Sequence, residues 1–287
     1  MPKVLQKALI LFALAFFFIG CAAPLPKEPA PIPLRVGVFP YYPPMIFKQK
    51  GEAKEAETDL AARLAKPAGR EPQVLESGEI RGAEADLALR LAKTLGREAQ
   101  FIEFDWEQLI PALLEGKIDI IMSGMSITEA RKARVPFAEP YLKIGLVALF
   151  RAEDAPKFNS LTNIRESFST IGVVQGTTSE TFVRRNFLKA ANIISFQKAS
   201  EARDLLVNMR IDLFVHDAPS VVWLVSQNEG VLKGFWEPFD QEYLGWAVKP
   251  GNQDFLVQVN AILSGWKKDG TLKGILTRWL PYWKNFE

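Results

Sequence analysis

Residues 113–121 read Leu-Leu-Glu-Gly-Lys-Ile-Asp-Ile-Ile, and residues 206–214 read Leu-Val-Asn-Met-Arg-Ile-Asp-Leu-Phe. Both run from an apolar helix end through basic-Ile-Asp into an apolar strand. A helix handing over to a short apolar run is the mark of an α/β unit. Two such units in one chain predict two lobes of similar build.

The reading extends outward from each unit. Before the first, Trp106–Glu115 is predicted helical, with Asp105 placed to cap it and Gln108 at the capping-box position. Pro111 conflicts with that helix unless it falls in the first turn or kinks it. Ile118–Met122 is predicted as a strand, as are Arg35–Phe39 and Phe101–Phe104. Around the second unit, Ser200 is placed to cap a helix through Met209, and Ile211–His216 follows as a strand. Ile171–Gln175 and Ile193–Phe196 are predicted strands flanking a helix over Ser179–Ala190. Beyond them come a strand, Tyr243–Val248, and a helix from the cap Asn252 through Lys268. Asp269-Gly270 ends it, and a last helix covers Thr271–Leu280. Trp266, Trp279 and Trp283 are read as core packing.

Composition narrows the function. The chain has 287 residues, 48% hydrophobic and 24% charged, an ordinary globular balance. Thirty-five basic against 33 acidic residues leave +2, so no basic excess suits nucleic acid. One cysteine, Cys21, excludes a disulfide scaffold. One histidine, His216, excludes a multi-His metal site, and no metal or cofactor is expected.

The first 20 residues read as a targeting segment: Lys3 and Lys7, then an uncharged apolar stretch from Ala8 to Gly20, too short to span a bilayer. The ending Phe18-Ile19-Gly20-Cys21 resembles a bacterial lipobox, in which the cysteine becomes lipidated; the other reading is an uncleaved anchor. Residues 21–33 form a tether, with five prolines in residues 22–33, stiff and extended rather than helical.

A tandem duplication follows. Residues 56–73, AETDLAARLAKPAGREPQ, match 83–100, AEADLALRLAKTLGREAQ, at 13 of 18 positions. The second copy carries Leu87, Leu91 and Leu95 at helical spacing, a continuous apolar stripe. In the first copy Pro67 breaks the pattern. The second copy is therefore expected in the core, and residues 51–77 as an insert.

Two strand–loop–helix junctions can carry chemistry. In Ser123-Gly124-Met125-Ser126-Ile127-Thr128-Glu129-Ala130-Arg131, small residues allow close approach to the backbone. Ser126 or Thr128 can cap the next helix, whose free N–H groups suit an anion. Arg131 adds a guanidinium that can hold a carboxylate through two bonds. Gln175-Gly176-Thr177-Thr178-Ser179-Glu180 repeats the logic. Each could also be no more than a capped helix start. Asp217 falls at a strand end, the ligand edge of an open α/β sheet; it could take an ammonium or simply cap Ala218–Gln227. Tyr42 and Trp106 lie next to strand ends, to stack on a ligand or to fill core. His216 is read as a pocket-wall or hydrogen-bonded residue rather than a catalyst, because no nucleophile-elbow sequence accompanies it.

Taken together, the ordered series Arg35-Val-Gly-Val with Tyr42-Pro-Pro, Gly82-Ala-Glu-Ala-Asp-Leu, Trp106 through Ile120, Ser126-Ile-Thr-Glu-Ala-Arg131, Gly172-Val-Val-Gln-Gly-Thr-Thr178, Ile211-Asp through Asp217 and Lys268-Asp-Gly-Thr-Leu272 resembles the polar-amino-acid family of extracytoplasmic solute-binding proteins, the receptors of bacterial ABC importers. The resemblance implies an α/β fold of type II, with two similar lobes joined by two crossover strands and the ligand in the cleft between them. It implies a first lobe of 34–149 plus 248–287 and a second of 150–247.

By the same resemblance, Arg131 would hold the ligand α-carboxylate with backbone N–H groups at Ser126 and Thr178. Asp217 would take the α-ammonium, helped by the carbonyl of Ser123 or Gly124. Tyr42 and Trp106 would sandwich the side chain. Phe39 stands where receptors of basic amino acids place an acid, which points to a ligand that is not strongly basic. The implied protein is a monomeric, lipid-anchored receptor in the periplasm or cell envelope. Its partners are a free amino acid and an ABC permease, with no nucleic acid and no catalysis. The alternatives are a cyclohexadienyl (prephenate or arogenate) dehydratase-like enzyme on this scaffold, with Glu180, His216 or Asp217 as its acid, and a solute sensor or accessory lipoprotein.

Overall fold

The computed structural model describes residues 32–49 and 79–282. The targeting segment, Cys21, most of the tether, the insert 51–77 and Trp283 lie outside the described residues.

The chain opens with β1 (Leu34–Val38), the short strands β2 (Tyr41–Tyr42), β3 (Ile46–Lys48) and β4 (Ile80–Arg81), and helix α1 (Ala83–Thr94). Next come β5 (Ala99–Glu103), α2 (Leu109–Leu114), β6 (Ile120–Ile121), α3 (Glu129–Lys132) and the long β7 (Leu142–Arg151). Then follow α4 (Leu161–Arg165), β8 (Thr170–Val174), α5 (Thr178–Asn186), β9 (Asn192–Phe196), α6 (Glu201–Val207), β10 (Leu213–Asp217) and α7 (Ala218–Gln227). The last elements are β11 (Leu232–Leu244), β12 (Ala247–Val248), α8 (Gln253–Lys268) and α9 (Thr271–Trp279).

Two main sheets form, ordered β12-β6-β1-β5 and β11-β7-β10-β8-β9, with β2-β3-β4 as a small third. The two Ile-Asp motifs do the same job in each. Ile118 and Ile211 are fully buried. The Asp119 carboxylate accepts the backbone N–H of Arg35 at 3.0 Å, and Arg35 Nη2 at 2.5 Å. The Asp212 carboxylate accepts the backbone N–H of Thr170 at 2.9 Å and Arg151 Nη2 at 3.2 Å. Each aspartate thus pins the start of a buried parallel strand to its neighbour, through one of the stronger, charge-assisted classes of hydrogen bond.

Helix α1 belongs to the second copy of the duplication. Its Leu87, Ala88, Leu91 and Ala92 are buried against Leu34, Val36, Trp266 and Leu276. Each fully buried leucine contributes about 1.5–3 kcal/mol. Gly82 precedes the helix at φ 119°, and a Cβ there would lie 2.3 Å from the carbonyl oxygen of Met45. Only glycine fits that approach. Trp266 is buried as expected, and Trp279 packs against the same cluster, donating its Nε1–H to Asp86 at 2.8 Å.

The expected lobe divisions fall within strands, and several expected element boundaries move. The division at 149/150 falls inside β7, which runs unbroken and pairs with β10 through residues 146–149, in the second sheet. The division at 247/248 cuts β12, whose Ala247 pairs with Ile121 in the first sheet. The expected strand Tyr243–Val248 divides at Gly245 and Trp246, its first part closing β11 and its second forming β12. Strands β7 and β11 lie antiparallel from Leu142–Leu244 to Arg151–Leu232, with a register shift between Phe235 and Asp240, and form the double connection between the lobes.

Trp106–Gln108 is a 3₁₀ turn rather than the start of one helix. Pro111 consequently sits in the first turn of α2, where its missing N–H costs nothing. Asp105, Ser200 and Asn252 flank helices without a side-chain cap bond. Ser200 has helical φ, ψ (−62°, −23°), whereas a capping residue needs extended backbone to turn its oxygen back. Helix α6 stops at Val207 instead of Met209, which has φ 55°, and α5 stops at Asn186 instead of Ala190.

Candidate functional site

A cleft of about 410 Å³, counted out to its solvent-open mouth, lies where the strand ends of the two sheets face each other. The first wall is the loop after β6. Its Gly124 has φ 65°, and a Cβ there would lie 2.5 Å from Cε1 of Tyr42, so glycine is what lets the Tyr42 ring in. Thr128, not Ser126, caps α3, accepting the Arg131 N–H at 3.2 Å. The guanidinium of Arg131 donates to the Ser126 carbonyl at 2.8 Å and to the Gly176 carbonyl at 3.4 Å. It lies over the Trp106 ring at 5.3 Å. Burial pulls its pKa down, against the opposing pull of Glu242 and Asp217.

The second wall is the start of α5 and the end of β10. Thr177 caps α5 by accepting the Glu180 N–H. Asp217 is buried at 5% exposure and accepts the Tyr42 hydroxyl at 2.6 Å. It makes no side-chain cap to α7, so the capping reading of this aspartate does not hold. Trp106 crosses to this wall, donating Nε1–H to the Gly176 carbonyl at 3.0 Å.

The structure brings Tyr42, Trp106, Gly124, Ser126, Arg131, Thr178 and Asp217 to one cleft. Ser123 is not among its lining residues: its buried hydroxyl accepts the Phe39 N–H at 2.8 Å and ties β1 to the loop. Phe39 itself lines the cleft, edge-on to Trp106 at 6.1 Å and to Tyr41 at 5.2 Å, and makes that end apolar.

The three candidate acids differ. His216 lines the cleft, but burial lowers its pKa to about 3, so it is neutral at ordinary pH. Glu180 accepts from the Gly176 N–H, Ser195 and Arg184. Burial pushes its pKa up, but those hydrogen bonds outweigh it and hold the carboxyl below its ordinary value, ionised. Asp217 is pushed upward by burial, against the pull of Tyr42 and Arg131.

Two glutamates escape the sequence reading. Glu84 is fully buried, and its carboxylate accepts the Gly124 N–H at 2.7 Å, the Tyr141 hydroxyl at 2.5 Å and Trp246 Nε1–H at 2.9 Å. Burial raises its pKa to about 7 against those three donors. An acid within the buried stretch Ala83–Ala85 of α1 was the available signal. Glu242, on β11, accepts the Ser126 hydroxyl at 2.5 Å and the Thr178 hydroxyl at 2.9 Å on one oxygen, Oε2. Nothing in its local sequence marks it.

A two-lobed α/β fold with a cleft at facing strand ends places a ligand-binding site between the lobes. The family model for bacterial extracellular solute-binding proteins, family 3, matches residues 71–282, and the chain belongs to this family. It is 28% identical to the L-cystine-binding protein TcyJ of Escherichia coli over 86% of this chain and 82% of that one. It is similar, with TM-score 0.73 and 30% identity over 86% of this chain and 94% of the other, to a binding component of an ABC transporter from Wolinella succinogenes complexed with lysine. It is also similar to the ancestral amino acid-binding protein AncCDT-1, a precursor of cyclohexadienyl dehydratase, with TM-score 0.71 and 32% identity over 86% and 94% of the two chains. The protein is a solute-binding receptor.

Proposed function

We propose that the solute is a free α-amino acid, held by its α-carboxylate on Arg131 and the N–H groups of Ser126 and Thr178, and by its α-ammonium on Asp217 and the Gly124 carbonyl. The observation that carries this reading is that Arg131 and Asp217 line one cleft from opposite walls. An amino acid presents one anion and one cation, and a cleft closing over it must pair both, because a buried unpaired charge is costly. Tyr42 and Trp106 hold the side chain, and the apolar Phe39 end favours one that is not strongly basic. The relative named for cystine binding and the ABC-transporter binding component complexed with lysine support the ligand class. The protein hands its ligand to an ABC permease and is not an enzyme. The neutral His216 and the fully engaged Glu180 leave the dehydratase alternative without either of those two acids. A thermal-shift screen of the common amino acids tests the reading. A ligand at about 100 times its dissociation constant stabilises by about 2.7 kcal/mol, and a screen without any shift removes the amino-acid assignment.

The receptor acts outside the cytoplasm as a monomer, tethered through lipid on Cys21. The charged start, short apolar run and Gly20-Cys21 junction support this, and no helix among the described residues is long and apolar enough to cross a membrane. Mass spectrometry of the membrane fraction is expected to find an acylated cysteine as the first residue. An intact Met1 on membrane-bound protein excludes the lipid anchor.

A further inference from the structure

We propose that Lys198 is a specificity-determining residue of the cleft, and that the solute is an α-amino acid whose side chain ends in a carboxylate. The inference rests on the reading that Arg131 and Asp217 hold the α-carboxylate and α-ammonium, and it names the side chain that goes with them.

From Arg131 a row of rings leads along the cleft. The guanidinium lies over Trp106 at 5.3 Å, Trp106 lies 6.1 Å from Phe39, and Phe39 lies 5.2 Å from Tyr41. The row ends on a second cation: Lys198 Nζ stands 3.9 Å from the centre of the Tyr41 ring. Phe39, Tyr41, Val174 and Ala199 line the cleft without charge. Such a lining suits methylene groups, with a charged group beyond them at Lys198.

Lys198 reaches this point from the other lobe. It lies between β9 and α6, next to Ala199 of the cleft lining, whereas Tyr41 is on β2. A contact from the second lobe to a lining ring of the first spans the gap between them, so the half-buried ammonium stands at the rim of the cleft.

The surroundings leave that charge unmet by oxygen. Among the described residues, Lys198 Nζ makes no ion pair and no hydrogen bond. Glu201, three positions on, gives its carboxylate to the Lys198 backbone N–H at 2.9 Å instead. Glu107, on the same side of the cleft as Trp106, accepts the Gln175 amide at 3.2 Å; it is exposed, so water and salt screen it. Attraction to the Tyr41 ring holds the cation in place, but leaves its three N–H donors without an acceptor. A carboxylate at the end of the ligand side chain supplies one, through a charge-assisted bond. An amide of the same shape brings no charge to the ammonium, and a cationic side chain is repelled by it.

Calorimetry with two isosteric pairs, L-glutamate against L-glutamine and L-aspartate against L-asparagine, reads the assignment. The wild type is expected to prefer the acid in at least one pair by about tenfold or more, the worth of a hydrogen bond to a charged group. Lys198→Met keeps an apolar stem over Tyr41 without the charge, and is expected to abolish that preference. Lys198→Arg keeps the charge and is expected to retain it. A lysine that only ties the lobes together gives a different result: Lys198→Met then weakens acid and amide alike and leaves their ratio unchanged. That outcome overturns the proposal, as does a wild type that prefers the acid in neither pair. Binding of a neutral amino acid without preference for an acid removes the side-chain assignment alone. If no α-amino acid binds at all, the reading of Arg131 and Asp217 falls, and the side-chain assignment falls with it.

Discussion

Arg131→Ala and Asp217→Ala are each expected to weaken binding of the amino acid found by thermal shift by roughly ten- to more than a hundredfold. A hydrogen bond to a charged group is worth about 1.5–3 kcal/mol, and a factor of ten is about 1.4 kcal/mol. Arg131 is bonded to two backbone carbonyls, Ser126 and Gly176, and makes no ion pair among the described residues, so its charge is there for an incoming carboxylate to meet. Removing it relieves a partly buried cation, and the free protein is expected to fold as well as before. Asp217→Ala strips the acceptor from the Tyr42 hydroxyl. Asp217→Asn keeps an oxygen there and removes only the charge, so it separates ammonium recognition from positioning of the ring. Calorimetry reads all three. Wild-type affinity in both alanine variants would show that the cleft does not hold an amino acid by its two charges.

The second large effect falls on stability. Glu84→Ala leaves three buried donors without an acceptor: the Gly124 N–H, the Tyr141 hydroxyl and the Trp246 indole. An unsatisfied buried polar group costs about 1–3 kcal/mol. With relaxation around the new gap, a total loss of about 3–5 kcal/mol is expected, a fall of roughly 10 °C in melting temperature for a chain of this size. Glu84→Gln turns an amide donor toward at least one of the three donors and is expected to fall between the two. Because Glu84 holds the loop that carries Gly124 and Ser126, ligand affinity should fall with stability. A Glu84→Ala protein that melts within about 2 °C of the wild type would mean the three donors find other partners.

The reach of the sequence differs between parts of the molecule, for physical reasons. Features set by neighbouring residues could be read directly. The Leu87–Leu91 spacing puts both leucines on one helix face, so the second copy of the duplication was identifiable as the core helix. Thr128 stands three residues before Arg131, which is capping distance, and Asp217 ends an apolar run, so the positions of the cleft loops followed from local pattern. Local spacing also misled. Asp105, Ser200 and Asn252 have the composition of caps but not the required side-chain bond, and whether Pro111 is tolerated depended on where its helix begins.

What only the tertiary structure decided involves partners distant along the chain. Glu84 meets residues 40, 57 and 162 positions away, and Glu242 meets Ser126 across 116. No periodicity encodes such meetings, because they arise where separate elements pack. The link between the lobes was hidden for the same reason: β7 and β11 look like ordinary strands along the chain, and their role in joining the lobes comes from pairing with each other across some ninety residues. The amino-acid sequence determined which segments are helices and strands and which loops present Arg131 and Asp217. The packed fold decided that those two charges share a cleft, and that a buried carboxylate, Glu84, stands behind it, because burial and pairing are properties of the assembled molecule.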